Sequence, residues 1–301
     1  MHRVSLKVLA LLAALTLVWG TNWPMFAIAL RELPVATFRT GVLSMAIVVL
    51  YAVMRLRGDS FAVPKGRWPH LILASLMNLT VWNIATSLAV LYIPSGHASV
   101  LAYTMPLWVA LLGLVVYRQP LNGRLLLAIA IGTAAVVALM IPNFQSYASA
   151  PQGLFWGLFA GFCWAIGTFV VKRTSWPGMG LSLTFWQVAV AWPPIALGMA
   201  VLDGWPQPMP STKAILATLY TGAIPMALGT ATWFALVKLL PTQVAALSSI
   251  AIPIVAVVSG VILLHEPLSG LQALAIGSTV ISLWLALVPG NGRHSPSSAR
   301  P

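Results

Sequence analysis

Trp19, Asn78, Trp82, Asn83, Tyr103 and Trp164 are set deep within apolar runs, away from the ends where water and headgroups would meet them. None carries a charge. Indole faces attract cations, while amides, phenol and indole N–H groups donate or accept hydrogen bonds. Together they are suited to holding a small zwitterion or a neutral polar molecule. Asn78, Trp82 and Thr86 are spaced four apart, which predicts one face of a helix. Tyr103 stands one turn before Pro106, and Ser248 and Ser249 occupy the matching region of a later run that contains Pro253. Simpler uses exist for the same residues: packing for the indoles, interhelical hydrogen bonds for Asn78 and Asn83. Trp68, Trp176 and Trp205 lie near run ends and read as interfacial anchors.

Other chemistries find less support. Ser95 and His97 could be taken for a nucleophile and its base. A nucleophile needs its base in hydrogen-bond reach and a third group to orient it. Two residues apart at a helix start, these side chains point in different directions, and the sequence places no carboxylate beside them. His97 reads as a helix-terminal histidine or a protonation switch, and no enzyme activity is expected. Cys163, the single cysteine, reads as an apolar filler. No metal-ligand cluster, phosphate loop or nucleic-acid motif is present, and no cofactor is expected. Asp59, Asp203 and Glu32 fall in loops and Glu266 at a helix cap, so no carboxylate lies within an apolar run. That disfavours proton coupling and cationic drugs. Arg39, near the start of its run, either snorkels to the headgroups or shapes an outer vestibule. Gln187 reads as a gate or packing residue near the inner end of its run.

These side chains need elements to hold them, and composition names the solvent. Of 301 residues, 7% are charged and 59% hydrophobic, against roughly a quarter charged in soluble domains. Ten apolar segments follow: Leu6 to Leu30, Val35 to Met54, His70 to Leu91, Ser95 to Tyr117, Leu121 to Ile141, Gly153 to Val171, Leu181 to Leu202, Ala214 to Val237, Thr242 to Leu264 and Leu268 to Val288. Each is about 19–25 residues, near the ~20 that span hydrocarbon. The first is too long for a signal peptide's core and is read as a retained helix. With the N-terminus inside, thirteen of the sixteen basic residues fall on the inner side, so the positive-inside rule predicts both termini in the cytoplasm. The net charge of +12 is a topology signal directed at lipid phosphates rather than nucleic acid.

Shifted by 147 residues, the chain echoes itself. Pro94 falls on Pro241, Pro106 on Pro253, Gly113 on Gly260, Pro120 on Pro267 and Gly123 on Gly270. "LVWG" around Trp19 echoes "GFCWA" around Trp164, and "TFR" at Thr37 echoes "FWQ" at Phe185. Two halves of five spans enter the membrane with opposite polarity, the inverted repeat of many secondary transporters. We divide the chain into residues 1–145, 146–290 and a mobile tail, 291–301. Pro94 and Pro241 open helices, where a missing N–H is harmless. Pro106 and Pro253 follow twelve residues on, about 18 Å along a helix. There each frees a carbonyl and offers either a hinge or a static kink.

The paired segments "LYIPSGHASVLAYTMPLWVALLGLVVYRQPLNG" and "KLLPTQVAALSSIAIPIVAVVSGVILLHEPLSG" resemble the EamA-type drug/metabolite transporter superfamily, most of all its ten-helix amino-acid exporters of the YddG type. "HEPL" at His265 matches that family's turn, as do Trp19-Gly20 and Arg39 its first two helices; "RQPL" departs from it at Gln119. The resemblance implies an all-α integral membrane protein of ten helices around a central cavity. The reading is then an inner-membrane exporter of small metabolites, amino acids first, working as a monomer by alternating access. The cavity would be lined by the six deep residues, with Pro106 and Pro253 as hinges or gates. The alternatives are export of other neutral metabolites or drugs, and a non-transporting scaffold or receptor.

Overall fold

The computed structural model describes residues 6–116, 150–204, 208–239 and 251–266, with residues 130, 134 and 270. The described residues are all-helical or loop, without strands. Among the described residues, seven helices are long and apolar enough to cross a membrane: α1 (Leu6–Leu30), α2 (Val35–Arg57), α3 (Trp68–Tyr92), α4 (Ser95–Val115), α5 (Pro151–Arg173), α6 (Leu181–Leu202) and α7 (Thr212–Leu236). A shorter apolar helix, α8, covers Ala251–Leu264. The segments 121–141 and 268–288, the tail, Trp205, Ser248 and Ser249 lie outside the described residues, apart from residues 130, 134 and 270.

Among the most extensive helix pairs are α3 with α5, α1 with α7 and α2 with α6. Each joins a helix from residues 1–145 to one from residues 146–290, so the two stretches interleave. Small residues allow the close approach. A side chain on Gly167 of α5 would strike the Asn78 amide of α3. One on Gly229 of α7 would come within 2.6 Å of the Trp19 indole nitrogen. In lipid, where apolar burial offers little drive between helices, such contacts carry association.

α3 and α7 are each interrupted by a π-helical segment, Leu76–Val81 and Gly222–Gly229. These segments coincide under the 147-residue shift. A π turn inserts an extra residue and rotates everything beyond it. α4 is broken as well: Ser95–Ala102 ends in a turn at Tyr103 and Thr104, and the helix resumes at Met105 with Pro106 in its first turn. The proline therefore does more than kink the helix, because it forces the stop upstream of itself and begins a new segment. The carbonyl it cannot serve, that of Ala102, lies against Gly161 of α5, 2.8 Å from where that residue's Cβ would be. It faces a helix, not a cavity. Pro253 lies within α8 and is buried.

Three carboxylates fasten helix starts across the same interleaved boundary. Glu32 accepts hydrogen bonds from the Ser211 hydroxyl and backbone N–H, both at 2.6 Å, at the start of α7. Asp203 accepts from the Thr37 hydroxyl at 2.7 Å and from its N–H, at the start of α2. Glu266 accepts from the Ser95 N–H at 3.0 Å and hydroxyl at 2.7 Å, and from the Gly96 N–H, at the start of α4. Orphan N–H groups and the positive end of each helix dipole favour an anion there. Leu91 and residues 30–35 line one crevice, which puts all three caps at the same end of the bundle.

Candidate functional site

The α1 spacing builds the first wall. Trp19, Asn22, Trp23 and Phe26 recur at intervals of three and four and so share a face. All four line one internal cavity, joined by Arg39 from α2, Leu79, Trp82 and Asn83 from α3, and Tyr103 and Met105 from α4. Trp164 of α5 and Pro225, Met226 and Thr230 of α7 close it from the other side. Its free volume is about 40 Å³, whereas small-molecule sites run to roughly 300–1,000 Å³. A metabolite can enter only if the rings move apart.

Those rings form an unbroken series. Trp233 contacts Trp19 at 5.5 Å between centroids, and Trp19 meets Trp164 edge-on at 6.2 Å. Trp164 meets Trp82 at 4.7 Å, Trp82 meets Tyr103 at 6.1 Å, and Tyr103 meets Trp23 at 6.2 Å. Trp23 then meets Phe26 at 5.4 Å. The Arg39 guanidinium lies 3.8 Å from the Phe26 centroid and 4.9 Å from that of Phe38. Three of these pairs are edge-to-face and three tilted; aromatic pairs are worth about 0.5–1.5 kcal/mol each beyond burial, so parting the rings has a cost.

Polar groups punctuate it. The Trp19 indole donates to the Pro225 carbonyl at 3.1 Å, within the π segment of α7. Asn83 donates to the Leu79 carbonyl at 2.7 Å, within that of α3. Each loosened backbone is thus served by a cavity side chain. Left buried without a partner among the described residues are the Trp164 indole N–H and the amide oxygens of Asn22 and Asn83. A buried polar group left unsatisfied costs about 1–3 kcal/mol, so each such group is an available handle for a ligand or water. The walls can therefore offer a donor, two acceptors and several indole faces.

The structure brings Trp19, Trp82, Asn83, Tyr103 and Trp164 to one cavity. It separates Asn78 from them. Asn78 lies within the π segment that begins at Leu76 and is not among the cavity-lining residues; its amide instead reaches Gln187 of α6 at 3.4 Å. Gln187 is fully buried there and acts between helices. Arg39 is 1% exposed, which is against snorkelling to the headgroups, and it is among the residues lining the cavity. Its Nε donates to the Ser87 hydroxyl at 2.6 Å and its Nη2 to Thr86 at 3.0 Å, and those bonds turn the side chain inward. At His97 the expectation of no neighbouring carboxylate is also corrected, because Glu266 sits at that helix start. The Ser95 hydroxyl is committed to Glu266, not to the imidazole. Trp23 and Phe26 were legible in the α1 spacing and missed; nothing local in the sequence marks Thr230 or Met226.

A multi-helix membrane bundle with a polar, aromatic-lined cavity at its centre has the construction of a small-molecule transporter. The chain belongs to the EamA-like transporter family, which it matches over residues 6–141 and 151–288. It is 25% identical over 298 residues to the Bacillus subtilis transporter YvbV, covering 96% of this chain and 93% of that one. It is 24% identical over 290 residues to an Escherichia coli protein named a probable amino-acid metabolite efflux pump, covering 92% and 93%. A crystal structure at 17% identity covers 99% of this chain and 100% of its own, with a TM-score of 0.71, which shows the shared fold.

Proposed function

We propose that this protein exports amino acids, aromatic and other neutral ones foremost, across the bacterial inner membrane by alternating access. In this reading ten helices form two inverted repeats, 1–145 and 146–290, with both termini cytoplasmic, acting as a monomer. The observation that carries it is the cavity between the interleaved stretches, where indole faces, one unpaired donor and two unpaired acceptors converge. An ammonium group meets the rings and amide oxygens, and an apolar side chain meets the rest of the wall. The break in α4 at Tyr103 and Thr104 supplies a hinge beside that wall, and Pro253 is its counterpart by sequence. The name carried by the Escherichia coli relative is in keeping with this substrate class.

The experiment is counterflow in liposomes holding the purified protein, against a panel of amino acids, nucleosides, sugars and cationic drugs. Exchange of phenylalanine or tryptophan above protein-free liposomes is expected. Exchange of another panel class with no amino-acid signal would transfer the reading to other neutral metabolites, and no exchange at all would favour a scaffold or receptor.

A further inference from the structure

We infer that Arg39 is the anchor for an anionic carboxylate on the transported molecule, so that the cavity selects substrates by their acid group. The inference rests on the transporter reading of the cavity and specifies its chemistry.

A guanidinium 1% exposed is a charge taken out of water, and such a charge is costly unless paired. The chain contains four acidic side chains. Three of them cap helices α7, α2 and α4, and Asp59 pairs with Arg57 at 3.0 Å. Arg39 makes no ion pair with any of them. Its hydrogen bonds are to two neutral hydroxyls, Ser87 and Thr86, which occupy two of the five N–H donors that a guanidinium carries. The other three take no partner among the described residues, and Arg39 is one of the residues lining the cavity. Phe26 and Phe38 bring their rings to 3.8 and 4.9 Å from its central carbon and offer no hydrogen-bond acceptor, so the unused N–H edge stays open to one. A carboxylate matches that edge with two parallel bonds.

The rest of the cavity sets the remainder of the ligand. Asn22 and Asn83 present amide oxygens without partners, which can accept from an ammonium. Indole rings take the side chain. A single guanidinium beside neutral amides fits a monoanionic carboxylate better than a phosphate dianion, which calls for several cations. Neutral sugars and cationic amines would leave the charge unpaired, and amines would also be repelled.

The test uses the full-length protein in detergent and in liposomes, with phenylalanine, phenylalaninamide and 3-phenylpropionate as probes. In the native protein phenylalanine should raise the thermal midpoint and compete in counterflow, 3-phenylpropionate should bind more weakly, and phenylalaninamide should do neither. In Arg39→Gln the preference for phenylalanine over its amide, roughly 10- to 100-fold for a charge-assisted pair, should collapse. Arg39→Lys, which keeps the charge and loses the fork, should retain part of it. Should Arg39→Gln not fold, the probe series on the native protein and on Arg39→Lys decides the matter. A uniform loss of rate or stability with the preference intact would overturn the inference and make Arg39 a brace between α2 and α3. Equal binding of phenylalanine and its amide by the native protein would overturn it too, as would stabilisation by chloride or inorganic phosphate but not by phenylalanine. Binding of 3-phenylpropionate without phenylalanine would keep the anchor and defeat the amino-acid reading, whereas transport of neutral or cationic compounds alone would keep the transporter and defeat the anchor.

Discussion

At one end of the bundle three carboxylates each receive hydrogen bonds from a helix start belonging to the other stretch of chain. Two residues beyond the Thr37 cap, Arg39 sits in a cage of rings and hydroxyls, with no carboxylate paired to it. The capped end spends negative charge on satisfying backbone N–H groups, and it is complete without a ligand. The cavity keeps its positive charge and several polar atoms unmatched, and it becomes complete only when something enters. The difference separates two jobs. The caps hold α2, α4 and α7 in place across the boundary, while the cavity stores the unmet contacts that a substrate would supply. Opening the molecule at the capped end would break those caps, so they also set a cost on that motion.

The sharpest way to test this division is to remove a ring from the cavity and another from the rim. Trp164→Ala removes a ring in contact with both Trp19 and Trp82. Loss of one cation–ring contact should weaken apparent affinity by very roughly 2- to 30-fold. Trp68 is 40% exposed and pairs with Trp186 at 5.2 Å, away from the cavity lining, so Trp68→Ala should leave affinity nearly unchanged. Counterflow titrations on both variants check this, and a larger effect from Trp68→Ala would mean the site is elsewhere.

A smaller effect comes from pushing a wall without deleting it. Gly229→Ala puts a methyl group 2.6 Å from the Trp19 indole nitrogen and must displace the ring or the π segment. Overpacking of this kind costs about 1–3 kcal/mol. The thermal midpoint should fall and counterflow should slow together; an unchanged midpoint would show that the π segment yields freely.

The smallest effect belongs to the capped end. The Ser211 hydroxyl, and then its backbone N–H, hold the Glu32 carboxyl below its ordinary value of 4.5. A carboxyl lowered on folding adds stability above its unfolded value and loses it as pH falls through the lowered folded value. The midpoint difference between the native protein and Glu32→Gln should therefore be constant from neutral pH down to about 5 and close below 4.5. It should be modest throughout, because Glu32 is exposed to solvent. A difference that persists unchanged in strong acid would remove the carboxylate from the account and leave only the hydrogen-bond geometry.

Which segments cross the membrane was written locally, since a run of about 20 apolar residues can satisfy its backbone only as a helix in lipid. For the described segments the expected spans and the observed helices agree closely, with Leu181–Leu202 recovered residue for residue and the first span ending at Leu30 as expected. The face of α1 carrying Trp19, Trp23 and Phe26 was equally local, because a helix repeats every 3.6 residues whatever it packs against. Tertiary structure decided the rest. The four-residue spacing of Asn78 and Trp82 promised a shared site, but the Asn78 amide meets Gln187 of α6 while Trp82 packs on Trp164 of α5. Arg39 looked able to reach the surface by its position in α2, and only Ser87, Thr86 and two phenylalanine rings turned it inward. Glu266 was legible as a cap, but not as the cap of α4, because that depends on a helix start 171 residues away in sequence. Periodicity fixes the side of a helix on which a residue stands, and the neighbour brought to that side by the whole fold determines what the residue can do.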